Sequence, residues 1–220
     1  MIPKAITAYF GKRSWKIAPY QKKAWEAYSR GESGLIHSPT GTGKSLAAWF
    51  GPVAEYLNKG SRESKSPEEG KILWITPLRA LAVDTAQSLE MSVREIGLDW
   101  EVGLRTGDTP SNIKAKQKKK LPRCLVTTPE SLSLALSYET FQRHFRAVDC
   151  VVVDEWHELI STKRGVQLEL CVARLRKINT RLRTWGLSAT LGDPNIALKC
   201  LMGSANAGRL ILGPPSKVYE

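Results

Sequence analysis

The stretch Leu35–Trp49, LIHSPTGTGKSLAAW, constrains the fold more than any other part of this chain. A short apolar run breaks into Ser-Pro-Thr-Gly-Thr-Gly-Lys-Ser and then resumes as a helical pattern. Residues Ser38–Ser45 fit x-x-x-x-x-G-K-S, the phosphate-loop pattern, with Ser38 where the general pattern has Gly. Gly41 and Gly43 let the backbone turn tightly enough to aim N–H groups at phosphate oxygens, and the following helix adds its positive N-terminus. A Gly-rich turn can precede any helix, but a strand before it and Gly-Lys-Ser at the helix start together specify an anion cradle. Thr40, Gly41, Thr42, Gly43, Lys44 and Ser45 are therefore expected to hold a nucleoside triphosphate. Lys44 would face the β- and γ-phosphates, and the Ser45 hydroxyl would ligate Mg2+.

Such a cradle needs an acid at the end of a buried strand, and VVVDEWH, Val151–His157, supplies one. Asp154 is expected to hold the magnesium through water, and Glu155 to polarise the attacking water of an in-line hydrolysis. Taken alone, an Asp-Glu pair after a strand is a helix N-cap with a solvated neighbour. Downstream of a phosphate loop it becomes catalytic. His157 by itself reads as a packed or surface histidine.

Further β-rich runs begin at Ile72 (ILWIT), Cys124 (CLVTT), Val148 (VDCVVVDE) and Thr184 (TWGLSAT), each preceding a turn and a longer helical pattern. Runs as apolar as CVVV imply burial on both faces. The alternation predicts an α/β domain with a mainly parallel sheet, helices on both sides and functional loops at the strands' carboxyl ends. Asn58–Lys71, polar and rich in Gly, Ser and Pro, is expected to be a surface loop.

The chain has 220 residues and a formal charge of +12, which favours a polyanionic partner. Cys124, Cys150, Cys171 and Cys200 form no C-x-x-C pair and sit among apolar neighbours, so buried reduced thiols are expected. No run approaches the roughly 18 apolar residues of a membrane span. The basic run Lys114–Lys120, KAKQKKK, reads either as a solvated helix face or as a phosphate contact.

Together with SAT, Ser188–Thr190, the phosphate loop and DEWH resemble the first RecA-like domain of a superfamily 2 DExH-box helicase. RSWKIAPYQKKAW, LWITPLRALA, LRTGD, LVTTPESLSL, DEWHEL and WGLSATLG resemble the large helicase-related (Lhr) family, and the Trp of the DExH box resembles its ligase-associated bacterial branch. The resemblance implies that Gln21 reads adenine, a base whose N6/N7 edge an amide can pair bidentately, with Trp15 or Phe10 covering it. It implies that Thr76, Arg79, Thr106, Gly107, Thr128 and the helix start at Glu130 contact a nucleic-acid backbone, and that Ser188 and Thr190 couple the two sites with His157. Thr-Pro before a helix is otherwise an ordinary N-terminal signal.

On this resemblance residues 1–30 carry the adenine motif as part of the same domain, 31–213 form the ATP-binding RecA-like domain, and 214–220 begin a linker to a second such domain. ATP and Mg2+ are the implied cofactors. Single-stranded DNA or a 3′-tailed duplex, the second domain and ligase-associated repair proteins are the implied partners, in a bacterial, nucleoid-associated cytoplasmic setting. RNA unwinding, and nucleotide-dependent nucleic-acid binding without turnover, are the rival readings. Because an arginine from the second domain completes such a site, this stretch alone is expected to hydrolyse ATP hardly at all.

Overall fold

A computed structural model of the chain describes residues 1–59, 70–203 and 207–215. Among them, helices α1 (Lys4–Gly11) and α2 (Pro19–Ser29) precede β1 (Gly34–His37), α3 (Lys44–Lys59), β2 (Lys71–Ile75), α4 (Arg79–Glu95) and β3 (Val102–Arg105). Next come α5 (Ser111–Lys119), β4 (Cys124–Thr127), α6 (Pro129–Ser137), α7 (Glu139–Phe145), β5 (Val148–Val153) and α8 (Trp156–Leu159). The remainder is α9 (Lys163–Ile178), β6 (Arg183–Ser188), α10 (Pro194–Met202) and β7 (Arg209–Leu212).

The seven strands form one sheet in the order β3-β4-β2-β5-β6-β1-β7, and every pairing is parallel. The α/β fold with a parallel central sheet is thus as the strand–helix alternation requires. Alternate residues of each strand enter different cores. Trp74, Val126, Val152 and Leu187 pack with α1 to α4 on one face, whereas Leu73, Leu125, Val151 and Val153 pack with α6 to α10 on the other. A strand buried on both faces must be apolar at every position, which is why the central strands read as continuous runs.

Edge strands β3 and β7 lie outside the expected runs. Their residues are mostly only half-buried or exposed; Gly103 interrupts β3, and the apolar run of β7 is only Leu210 to Leu212. The stretch expected as a loop from Asn58 is shorter at both ends. Asn58 and Lys59 complete α3, where Lys59 pairs with Glu55 one turn back at 2.6 Å. Lys71 opens β2, buried, with its ammonium donating to the Leu121 carbonyl at 2.6 Å. Residues 60–69 of that stretch, and 216–220 of the expected linker, lie outside the described residues. Cys124, Cys150 and Cys171 are buried and Cys200 half-buried, all as free thiols.

Candidate functional site

The sheet order divides the carboxyl ends of the strands into two neighbouring sets. β1, β6 and β5 end side by side in one half, and β2, β4 and β3 in the other. The phosphate loop leaves β1, Asp154 follows β5, and Ser188 ends β6 between them.

The loop is braced from within. Gly41 and Gly43 have φ of 75° and 89°, backbone that a side chain strongly disfavours. Thr42 Oγ1 donates to the Pro39 carbonyl at 2.7 Å, so the Ser38 hydroxyl, 2.7 Å from it, is the donor of that pair. Ser38, the departure from the general pattern, is therefore a strut of the loop. Lys44 Nζ reaches the same Pro39 carbonyl at 3.0 Å. Burial lowers the Lys44 pKa, against the pull of Glu155 and Asp154 nearby. Thr40 and Ser45 stay exposed at the mouth.

α2 supplies a second brace. The Tyr20 hydroxyl donates to the Thr42 carbonyl at 2.7 Å. Gln21, only 2% exposed, donates from Nε2 to the Gly43 carbonyl at 3.1 Å and accepts at Oε1 from the Ala18 N–H at 2.9 Å. A Cβ at Gly43 would lie 2.7 Å from that Nε2. Both ends of the amide are thus committed to backbone, so the bidentate adenine contact expected of Gln21 is not preformed; its amide braces the loop. Phe10 is also not a base cover, because it is buried in edge-to-face contact with Trp25, centroids 6.1 Å apart. Trp15 remains 53% exposed.

At the end of β5 the two Asp154 oxygens accept from Trp74 Nε1 at 3.1 Å and from the Glu155 N–H at 3.0 Å. Burial nevertheless pushes its pKa up to about 6, since the bonds are from neutral donors and Glu155 stands beside it. Glu155 itself has φ 45° and ψ 46°, the left-handed region that a non-glycine residue occupies only under constraint. Its Oε2 lies 3.4 Å from His157 Nδ1, and both atoms are buried without a hydrogen-bond partner. A desolvated carboxylate short of positive charge, an orphaned carboxylate oxygen and an exposed serine hydroxyl form a hard-oxygen set that suits Mg2+. Among the described residues no three His, Cys, Asp or Glu side chains converge as a cage. An ion there would take its remaining ligands from phosphate and water.

Ser188 is fully buried, pairs with His37 across β1 and β6, and accepts the Ser38 N–H at 3.0 Å through its carbonyl. Its hydroxyl donates to the Thr190 carbonyl at 3.4 Å, while Thr190 itself is exposed. Sequence reasoning passed over Tyr20, Trp74 and His37. His37 Nδ1 is buried without a partner, and burial, then Lys44, depress its pKa. Only closeness in the chain, within two residues of Gln21, Thr76 and Ser38, hinted at these three.

The second half forms a groove lined by Leu78, Arg79, Gly107, Thr128, Glu130, Leu134 and Arg164 among others. Arg79 lies against Gly107, where a Cβ would come within 2.7 Å of its guanidinium, and pairs with Asp108 at 2.8 Å. Glu130 pairs with Arg164. Thr76, Thr106 and Thr128 do not present their hydroxyls as expected. All three are buried, bonded respectively to the Leu78 carbonyl, the Asp108 N–H and Ser131. They shape the turns at the strand ends, and Thr128 in the groove and Thr106 beside it still line the surface there.

The sequence model of the DEAD/DEAH box helicases matches residues 18–198. The chain belongs to this family. It is 36% identical over 213 residues to the ATP-dependent helicase Lhr-Core protein 2 of Thermococcus barophilus, an alignment covering 92% of this chain and 25% of that protein. It is 34% identical to the Lhr helicase/uracil glycosylase of Escherichia coli over 89% of this chain and 14% of that one. The chain thus spans about a quarter or less of these relatives, which are both archaeal and bacterial. The structure of Mycobacterium smegmatis helicase Lhr bound to ssDNA and AMP-PNP superposes with a TM-score of 0.86 at 31% identity, covering 100% of this chain and 28% of that one. The helicase MrfA bound to DNA, 23% identical with a TM-score of 0.82, shares the fold.

Proposed function

We propose that this chain is the ATP-binding first motor domain, residues 31–213 with the 1–30 segment packed onto it, of an Lhr-type DNA helicase or translocase. The observation that carries this reading is the division of one sheet edge into a phosphate cradle facing an acidic pair and an adjoining groove of the strand-contact motifs. In it Thr40 to Ser45 wrap the triphosphate, Lys44 neutralises its terminal phosphates, and Ser45 and Asp154 are the magnesium ligands. Bound magnesium supplies charge neutralisation on the phosphates. Glu155 orients the attacking water and takes its proton, with the His157 ring 3.4 Å from its carboxylate. Ser188, ending the strand between the acid-bearing and phosphate-bearing strands, and Thr190 just beyond it link the site to the groove.

Asp-Glu-Trp-His at 154–157 supports the DExH subtype, and Trp156 the ligase-associated bacterial branch, working on the nucleoid in repair. Trp156 is fully buried and its indole N–H donates to the Ala197 carbonyl at 3.0 Å. Match to only a quarter of the Lhr-Core relatives supports a second RecA-like domain supplying an arginine, a contribution worth about 10³ to 10⁵ in rate. ATP would draw the two domains together and hydrolysis would release them, with a single strand gripped alternately.

The deciding experiment is ATP binding and hydrolysis by the 220-residue chain with and without single-stranded DNA, against Lys44→Ala. Bound ATP with no turnover is the expected result. DNA-stimulated turnover above the Lys44→Ala level would show that the chain needs no second domain. A greater affinity for RNA than for DNA of the same sequence would move the substrate to RNA.

A further inference from the structure

Beside the groove lies a smaller cavity of about 260 Å³, formed where the LRTGD turn, Arg105 to Gly107, meets α5, whose lysines no motif covers. It shares Gly107, Ser131 and Leu134 with the groove and continues it toward α5. Its charged lining is Arg105, Lys114 and Lys118, and no carboxylate lines it.

Arg105 is only 6% exposed, and its guanidinium makes no ion pair among the described residues. One terminal nitrogen donates to the Lys114 carbonyl and to Gln117 Oε1, both at 3.3 Å, and the group stacks over Phe141 at 4.7 Å. A buried guanidinium held by neutral acceptors and open to a cavity leaves positive potential in that cavity.

α5 then sorts the lysine run. Lys114 and Lys118, four residues apart, share the helix face turned to the cavity. Lys114 donates to the Gly107 carbonyl at 2.8 Å and so ties the loop after β3 to the helix. Lys118 sits over the Tyr138 ring at 4.3 Å. Lys116 instead lies 3.6 Å from Glu101 on another side, and Lys119 is exposed away from the cavity lining.

We propose that this cavity is a further strand subsite, taking one phosphodiester of a single-stranded nucleic acid beyond the groove. Lys118 contacts the phosphate, Arg105 supplies the potential behind it, and Tyr138 is a positioning residue that holds the Lys118 ammonium over its ring. The inference rests on the strand-groove reading. It divides the run Lys114–Lys120 into a contacting face and a solvated one.

The test is the anisotropy of a fluorescein-labelled oligothymidylate titrated with the chain across a salt series, with circular dichroism confirming each variant's fold. Lys118→Ala is expected to weaken binding roughly fivefold and to reduce the magnitude of the log–log salt slope by about 0.7, the signature of one lost phosphate contact. Lys119→Ala leaves both nearly unchanged. Tyr138→Ala reproduces part of the Lys118→Ala loss and Tyr138→Phe restores it, because a phenyl ring also holds an ammonium. Equal losses from Lys118→Ala and Lys119→Ala would overturn the subsite in favour of diffuse attraction. Loss with Arg79→Ala but none with Lys118→Ala would overturn the subsite and leave the groove standing. A folded wild-type chain with no salt-dependent binding would remove the groove reading itself.

Discussion

The two halves of the sheet edge are built on different physical principles. At the ends of β1, β6 and β5 the polar groups are braced to one another by short bonds inside the protein, from Tyr20 and Gln21 to the phosphate loop and from Trp74 to Asp154. In the groove at the ends of β2, β4 and β3 the charged groups meet in exposed ion pairs, with Arg79 and Asp108 62% and 69% exposed, while Arg105 at the end of β3 stays buried beside it. Such pairs are worth about 0–1 kcal/mol, so on the proposed function an incoming phosphate would exchange partners at little cost. A small ligand of fixed shape rewards preorganisation, whereas a sliding polyanion rewards many weak and renewable contacts.

If that contrast is right, single substitutions should be decisive in the first half and graded in the second. Lys44→Ala should remove saturable ATP binding altogether, measured with a fluorescent analogue; retained affinity would mean that the braced loop binds without its cation. In the full-length protein, Glu155→Gln should leave ATP bound and slow steady-state hydrolysis by at least about a hundredfold. Wild-type turnover would assign the water to another group. Gly43→Ala sharpens the contrast, since it must both strain a φ of 89° and displace Gln21. A cost of about 1–3 kcal/mol, divided between thermal stability and nucleotide affinity, is expected. The smallest effect belongs to the groove: Asp108→Asn frees Arg79 and should tighten oligonucleotide binding by only about twofold. A tenfold change there would mean that the groove, too, is a preorganised site.

Parts of both halves were legible in the chain itself. The phosphate loop, Asp154 and Glu155 are local patterns whose chemistry depends on neighbours within a few residues, and the buried strands announce themselves by continuous apolarity. Edge strands β3 and β7 did not, because Gly103 breaks the first and the second offers only three apolar residues, Leu210 to Leu212. The hydroxyls of Thr76, Thr106 and Thr128 are of a type that donates to phosphate, and each also bonds within its own turn. A threonine at a strand end suits both tasks equally, and only its burial separates them.

What the sequence alone determined is therefore the parallel sheet, and the phosphate-loop and acidic patterns that this sheet brings to one end of its strands. Their identity follows from short-range spacing, which survives any arrangement of the rest. The tertiary structure decided that Gln21 braces Gly43, that Phe10 belongs to the core, that Trp74 holds Asp154, and that Lys118 faces a cavity while Lys119 faces water. Trp74 and Asp154 stand 80 positions apart in the chain. Contacts at that separation depend on strand order and register, which no local pattern encodes.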